Sequence, residues 1–280
     1  KLRAGYGETG NQNGIGNYTF ASGLTSAVYV FNGNVVPIEL AQNAANPNLS
    51  WETIKSTNVG IDATFLHERI SLTVDGYIKN TTGMLVPYTL PISTGYTVSP
   101  PINAGKVQNK GVEITVNSHN LVGAFKWNSN FNIAFNKNKA LSVPNNDGII
   151  HGMTNLLSSS TEEFYRIQNG FPVGYFWGYK TAGIFQTQAE VAANTGANGL
   201  IQPNAVAGDV KFVDLNHDGS ITTADKTMIG DPNPDFTYGG NIAASYKGFD
   251  LSLNISGVSG NQIVDGTRAK DRDYNNYNST

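Results

Sequence analysis

Val59-Gly60-Ile61-Asp62-Ala63-Thr64-Phe65, the short link Leu66-His67-Glu68-Arg69 and then Ile70-Ser71-Leu72-Thr73-Val74-Asp75 decide the fold of this chain. Val59, Ile61, Ala63 and Phe65 fall on one side of an extended strand, and Gly60, Asp62 and Thr64 on the other. After the link, Ile70, Leu72, Val74 and Ile78 oppose Ser71, Thr73, Asp75 and Lys79. A period of two gives each strand one apolar and one polar face. The same pattern recurs at Val112-Ile114-Val116 and at Phe125-Trp127-Phe131-Ile133-Phe135, the latter against Lys126, Asn128, Asn130, Asn132 and Asn136. It recurs again at Phe249-Leu251-Leu253-Ile255.

Alternation alone does not say whether the apolar face meets a core or lipid, because a β-sandwich gives the same signal. Connection lengths separate the two. Leu66–Arg69, His119–Gly123 and Lys247-Gly248 are tight, and Asn169-Gly170-Phe171-Pro172 is a fourth candidate. Long connections lie between them, near 8–50, 80–105, 138–160 and 187–235. Alternation of short and long connections is the habit of an outer-membrane barrel, with short periplasmic turns and long outer loops. The expected fold is therefore all-β: a transmembrane antiparallel β-barrel wall with long extracellular loops, occupying 1–280. Nine strands are predicted. They centre near Leu2–Tyr6, Thr57–Phe65, Ile70–Ile78, Val107–Val116, Phe125–Phe135, Phe164–Gln168, Phe176–Phe185, Tyr238–Tyr246 and Phe249–Ser256. One helical patch is predicted at Gln188–Asn194, inside the longest loop, 187–235.

Composition agrees. Of 280 residues 39% are hydrophobic and 14% charged, with 31 Gly and 13 each of Tyr and Phe, which suits many strands joined by polar turns. The net charge of −3 gives no basic surface for nucleic acid. Cysteine is absent, which excludes disulfides, thiolate metal sites and a Cys nucleophile. No apolar run is long enough for a transmembrane helix, leaving a closed barrel as the way to span a membrane. The chain opens at Lys1 without Met or signal peptide and closes on Asp271–Tyr277, which reads as loop; it is read as a portion of something longer.

The sharpest local motif is Asp214-Leu215-Asn216-His217-Asp218-Gly219-Ser220-Ile221-Thr222-Thr223-Ala224-Asp225. Asp214, Asn216 and Asp218 put oxygen-bearing side chains at loop positions 1, 3 and 5. Gly219 stands at the sharp turn, Ser220 offers its backbone carbonyl at 7, Ile221 anchors at 8, and Asp225 closes at 12. This is EF-hand-type spacing, which wraps one chain around a cation wanting six to eight oxygens. Val210–Val213 reads as extended, so a structural Ca²⁺ in an exposed loop is expected rather than a helix-pair sensor. The competing reading is a solvated Asp/Asn turn without an ion.

Other candidates carry less. His67, His119, His151 and His217 are scattered without metal spacing, and Glu162-Glu163 face opposite ways on a strand. No Gly-x-Ser-x-Gly, catalytic triad or phosphate loop appears, and Gly14-x-Gly16 is too short for a nucleotide. Phe176, Trp177 and Tyr179 are candidate substrate-stacking residues; an interfacial aromatic girdle is the alternative.

Four blocks together resemble the SusC/RagA-type TonB-linked outer-membrane transporters. They are Lys1–Gln12 ending in Thr9-Gly10-Asn11-Gln12, and Asn46-Pro47-Asn48-Leu49-Ser50-Trp51-Glu52 with Asn58–Asp62. The third is Phe176-Trp177-Gly178-Tyr179-Lys180-Thr181-Ala182-Gly183-Ile184-Phe185-Gln186, and the fourth is Gly208–Phe212 with the acidic loop and Ile229–Pro234. The resemblance implies a late portion of a 22-stranded barrel, with the plug, TonB box and terminal strands elsewhere. It implies an importer of large nutrients, glycan or peptide, powered by TonB and paired with a SusD-like surface lipoprotein. The alternative function is a soluble, Ca²⁺-braced β-sandwich that binds glycans. A sandwich predicts two facing sheets, whereas the transporter predicts one meander. An enzyme is not expected, for want of a convergent catalytic set.

Overall fold

The computed structural model describes residues 1–87, 90, 92–96, 98, 100–145, 147–156 and 162–266. The predicted loop at Asp271–Tyr277 lies outside the described residues. Seven long strands form one sheet: β1 (Leu2–Asn11), β2 (Glu52–Phe65), β3 (Ile70–Pro87), β4 (Pro101–Val122), β5 (Phe125–Ser142), β6 (Phe236–Tyr246) and β7 (Phe249–Ser259). Their spatial order is their chain order, and every neighbouring pair is antiparallel. Among the described residues no pairing joins β1 to β7, so both remain edges of this sheet.

Short and long connections alternate strictly. Residues 66–69, 123–124 and 247–248 make the short ones, and 12–51, 88–100 and 143–235 the long ones. In an antiparallel meander this puts every short turn at one end. Lys247 and Gly248 have φ of 46° and 87°, the paired positive values that a two-residue hairpin needs to match strand twist. The β2–β3 turn places Leu66, His67 and Glu68 in the left-handed region. The Arg69 guanidinium then donates to the carbonyls of His119 and Asn120, at 3.1 and 2.7 Å, tying that turn to the end of β4.

Register explains the two faces. Directly paired residues share a face, and one row across the sheet reads Leu2, Ile61, Val74, Ile114, Ile133, Tyr238. Another reads Ala63, Leu72, Val116, Phe131, Gly240, Ile255. The opposite face carries Thr64, Ser71, Asn117, Asn130, Asn241 and Asn254 in one row. Among the described residues no second sheet covers the apolar face: Phe131 is 47% exposed and Leu251 66%. Among the described residues the buried hydrophobic ones are Ala140, Val143, Tyr175, Phe185 and Val191, none of them in these rows. A sandwich would bury such rows, so the soluble-sandwich alternative fails on topology and burial together. On β5 the apolar face runs from Phe125 to Phe135 and then meets Lys137 and Lys139. Ten residue steps of a tilted strand give a band about 25 Å tall, the height that outer-membrane barrels present to lipid.

The chain divides into two compact units. The first comprises Lys1–Ile150, Ile167–Val173 and Asn233–Gly260; the second comprises His151–Arg166, Gly174–Pro232 and the described residues from Asn261. In the second, the strand Tyr175–Tyr179 pairs with Lys226–Gly230 on one side and with Tyr165 and Arg166 on the other. A helix at Gln188–Ala193, where helix was predicted, is capped by Thr187, whose hydroxyl accepts from the Glu190 amide. Tyr175, Phe185 and Val191 are its buried apolar side chains.

Two of the nine predicted strands are therefore not barrel strands. Phe164–Gln168 and Phe176–Phe185 lie outside the seven-stranded sheet, in shorter strands that pair elsewhere. The candidate turn Asn169–Pro172 does not join two membrane strands. It lies along the far end of β5, where Ala140 donates to the Phe171 carbonyl and Gly170 donates to that of Ala140, at 2.9 and 2.8 Å. A hairpin of Leu24–Phe31 and Asn34–Ala41 occupies the first long connection.

Candidate functional site

The polar face of the sheet is a lattice of amides and charges. Arg3 on β1 donates to Asp62 on β2, at 2.8 and 3.0 Å, and to Asp75 on β3 at 3.0 Å. It reaches Asp75 by lying across β2 at Gly60, where a Cβ would stand 2.2 Å from Asp75 Oδ1 and 2.8 Å from the Arg3 guanidinium. Tyr77 makes the same move over Gly111, donating to Asn136 Oδ1 at 3.1 Å. Asn241 donates to Ser252 and Asn254, at 3.1 and 2.8 Å. Glycine thus lets a long polar side chain cross a neighbouring strand. Sequence reasoning placed Gly60, Asp62, Asp75, Asn136, Ser252 and Asn254 on the polar face but missed Arg3, Tyr77 and Asn241 and did not join them into a network. The signal was Gly60 and Gly111 on polar faces beside long polar residues.

The acidic loop is ordered by its own side chains. Gly219 donates its amide to Asp214 Oδ2 at 2.8 Å, and takes φ of 89°. Asp218 Oδ1 accepts from the amide and hydroxyl of Ser220, at 2.9 and 2.8 Å, while Asn216 Nδ2 donates to Asp218 Oδ2 at 2.8 Å. Asn198 donates to the Asp218 carbonyl at 3.1 Å, and Gly196 packs so closely that a Cβ there would lie 2.6 Å from Gly219 Cα. The Asp214 side chain is nearly buried, and its Oδ1 has no hydrogen-bond partner. An orphaned buried carboxylate oxygen is a place where a cation fits.

Asp225 departs from the expected ligand role. Its fully buried carboxylate accepts from the amides of Leu215 and Asn216 at 2.9 and 3.4 Å through Oδ1, and from the Thr222 amide at 2.7 Å through Oδ2. Thr222 and Asp225 form a reciprocal capping box around Thr223–Asp225. The Thr222 amide above all, with those of Leu215 and Asn216, holds the Asp225 carboxyl below its ordinary value. Among the described residues no group of three or more His, Asp or Glu side chains gathers around one point. The set available to an ion is thus Asp214, Asn216, Asp218 and the Ser220 carbonyl, with Asp225 clasping the loop's two ends.

Of the aromatic candidates, Trp177 and Tyr179 have neighbours on their rings. The Arg166 guanidinium lies 4.1 Å from the Trp177 ring centre, and Lys226 lies 5.1 Å from that of Tyr179. Phe212 packs on Tyr179 at 5.4 Å. Phe176 crowds Gly230, where a Cβ would meet its ring at 2.8 Å. The girdle alternative does not hold, because this strand is not part of the membrane-type sheet.

Glu162 and Glu163 diverge, as neighbours in extended chain must. Glu162 pairs with Lys226, whereas Glu163 takes both Arg166, at 2.5 Å, and His151, at 2.9 Å. Burial pushes the Glu163 carboxyl up, but its bonds from Arg166, His151 and the Gly152 amide bring it below the ordinary value overall. His119 bonds Asn128 at 2.7 Å on the polar face of the sheet, far along the chain from these groups.

The comparisons follow the geometry. Residues 1–258 match the family model described as TonB dependent receptor-like, beta-barrel. TonB-dependent receptor P3 of Formosa agariphila is 34% identical over 95% of this chain and 26% of its own length. TonB-dependent receptor SusC of Bacteroides thetaiotaomicron is 25% identical over 94% of this chain and 25% of its own. The chain therefore spans about a quarter of the length of these relatives. A solved structure of the RagAB peptide importer in its open-open state shares the fold, with a TM-score of 0.71 at 22% identity over 93% of this chain and 26% of that one. An uncovered apolar band, a polar opposite face, a strict meander and a family match over nearly the whole length have one reading: the chain belongs to the TonB-dependent receptor β-barrel family of the outer membrane.

Proposed function

We propose that this chain forms part of the wall of an importer of large nutrients, oligosaccharides or peptides, driven through TonB and served by a SusD-like surface lipoprotein. The observation that carries the reading is the pair of faces: a lipid-type band on one side and an amide-rich face on the other. Asn, Ser and Thr side chains both donate and accept, so such a lumen solvates polar cargo without fixing one charge. Membership of the TonB-dependent receptor family supports the transport class, and the fold shared with the RagAB peptide importer supports peptide as one cargo class. The test is uptake by cells that carry or lack the intact receptor, with labelled oligosaccharides and labelled peptides in parallel. Loss of uptake of one class on deletion, restored by the gene, is expected. Unchanged uptake of both would contradict the reading, and absence of a co-purifying surface lipoprotein would remove the partner.

The same reading includes a structural Ca²⁺ at Asp214, Asn216, Asp218 and the Ser220 carbonyl, held in the long connection between β5 and β6. The orphaned Asp214 Oδ1 supports it. Calcium there offsets the entropy of ordering an extended loop, about 1–2 kcal/mol per residue. Limited proteolysis of the intact receptor should show faster cleavage between Gly208 and Gly230 in chelator, and in Asp218→Ala at any Ca²⁺ level. Equal cleavage in all conditions would leave an ion-free acidic turn.

A further inference from the structure

The apolar band ends abruptly on β4 and β5, and its edge is cationic. Following the outer face up β4 and β5, Val112 gives way to Lys110 and Phe135 to Lys137, and these two lysines are direct cross-strand partners. Lys139 follows on the same face of β5, two residues on. All three are exposed and have no ionic partner among the described residues. Lys55, also on this face, differs: it is paired with Glu8 at 3.2 Å. Like charges directly opposed across a ladder destabilise it unless an anion lies between them.

Directly below, the apolar face is hollowed. Gly76 stands between Val59 and Val112 in one row, and the missing side chain opens a groove of about 720 Å³ walled by Val59, Ile78, Val112 and Phe135. Lys110 and Lys137 border the groove and Asp235 is the carboxylate on its lining, so its fixed charge is +1. A Cβ built on Gly76 meets nothing nearer than 3.9 Å, which confirms free space there. The lysine edge lies at the end of the sheet that carries the long connections, the outer end in this family.

We propose that this groove and its lysines hold one lipid of the outer leaflet, an acyl chain lying over Gly76 and a headgroup phosphate bridging Lys110, Lys137 and Lys139. The charge arrangement selects the occupant. A second apolar protein surface would leave the lysine pair uncompensated, and a free anion would not use the groove. Each lysine near a phosphate surface contributes on the order of a fivefold gain in binding, so three give roughly a hundredfold.

The test uses the intact receptor in detergent, delipidated and then titrated with lipid A, with dephosphorylated lipid A and with inorganic phosphate, and read by native mass spectrometry. The wild type should retain lipid A and lose most of that retention when the phosphates are removed. Lys110→Gln/Lys137→Gln/Lys139→Gln should weaken lipid A retention roughly a hundredfold. Gly76→Leu should weaken it while leaving all charges in place. Both variants are read on protein that keeps the heat-modifiable mobility of a folded barrel, and Lys126→Gln on the polar face serves as the unaffected control. Equal retention of lipid A by the triple variant, equal retention of the dephosphorylated lipid, full competition by inorganic phosphate, or no effect of Gly76→Leu would each overturn the proposal.

Discussion

At the residue scale, two glycines on the polar face do different work, and the difference predicts different costs. A Cβ at Gly60 would collide only with the ends of flexible side chains, Asp75 Oδ1 and the Arg3 guanidinium. A Cβ at Gly111 would stand 2.2 Å from the Phe135 carbonyl, which is backbone. Gly111→Ala should therefore destabilise the barrel by about 1–3 kcal/mol, as overpacking does. Gly60→Ala should cost less, while breaking the Arg3–Asp75 contact. Denaturant unfolding in micelles measures both, and equal costs would show that the sheet simply shifts at Gly111. Asp225 gives a pH dependence. Its carboxyl is held below the ordinary 3.8, so the unfolded loop binds the proton more readily than the folded one. The clasp thus contributes stability fully above 3.8, and loses it as pH falls through the lowered folded-state value. Amide exchange across 214–225, corrected for intrinsic rate, should lose protection as the pH is taken below 3.8 and keep it at pH 6. Asp225→Asn should abolish that dependence; a persisting transition would assign it to another carboxylate.

At the element scale, what was legible in the sequence was legible for a physical reason. β2, β3, β5 and β7 were found because lipid on one side and water on the other enforce a period of two. Where that contrast ends, so does the signal. β3 runs on to Pro87 and β4 starts at Pro101, well beyond their predicted spans, because the period of two breaks there: Asn80-Thr81-Thr82 are polar on both faces, Met84-Leu85-Val86 are apolar on both, and the register shifts between them. Phe164–Gln168 and Phe176–Phe185 are largely extended, but they pair in other, smaller sheets, and which sheet a short extended run joins is not written in its own residues. The hairpin at Leu24–Ala41 was readable in Asn32-Gly33, whose φ values of 50° and 77° are those of a tight hairpin turn. At the acidic loop, spacing revealed the oxygens of positions 1, 3 and 5 but not the commitment of Asp225 to backbone amides, which depends on where the chain closes. The band on β5 makes a sharp prediction. Phe131→Lys, near the middle of the band, should cost about 2–4 kcal/mol in a bilayer. Asn130→Lys, one residue away on the polar face, should cost within about 0.5 kcal/mol. Similar costs at both positions would mean that the faces do not meet different solvents.

At the scale of the whole molecule, stability does not come from a buried core in the first unit, since its apolar rows are uncovered. Hydrogen-bonded ladders satisfy the backbone, and the surrounding bilayer takes the place of a core. Single cysteines placed in this chain, which has none of its own, make this measurable once any cysteine elsewhere in the receptor has been replaced. Spin labels at 129 to 133 on β5 and 251 to 255 on β7 of the intact receptor in bilayers would report collision with oxygen, which dissolves in lipid, and with a polar nickel chelate. Labels at Phe131, Ile133, Leu251, Leu253 and Ile255 should favour oxygen, and those at Asn130, Asn132, Ser252 and Asn254 should favour the chelate, with a period of two. A flat profile, or one with the two sets exchanged, would contradict the assignment of the apolar face to lipid.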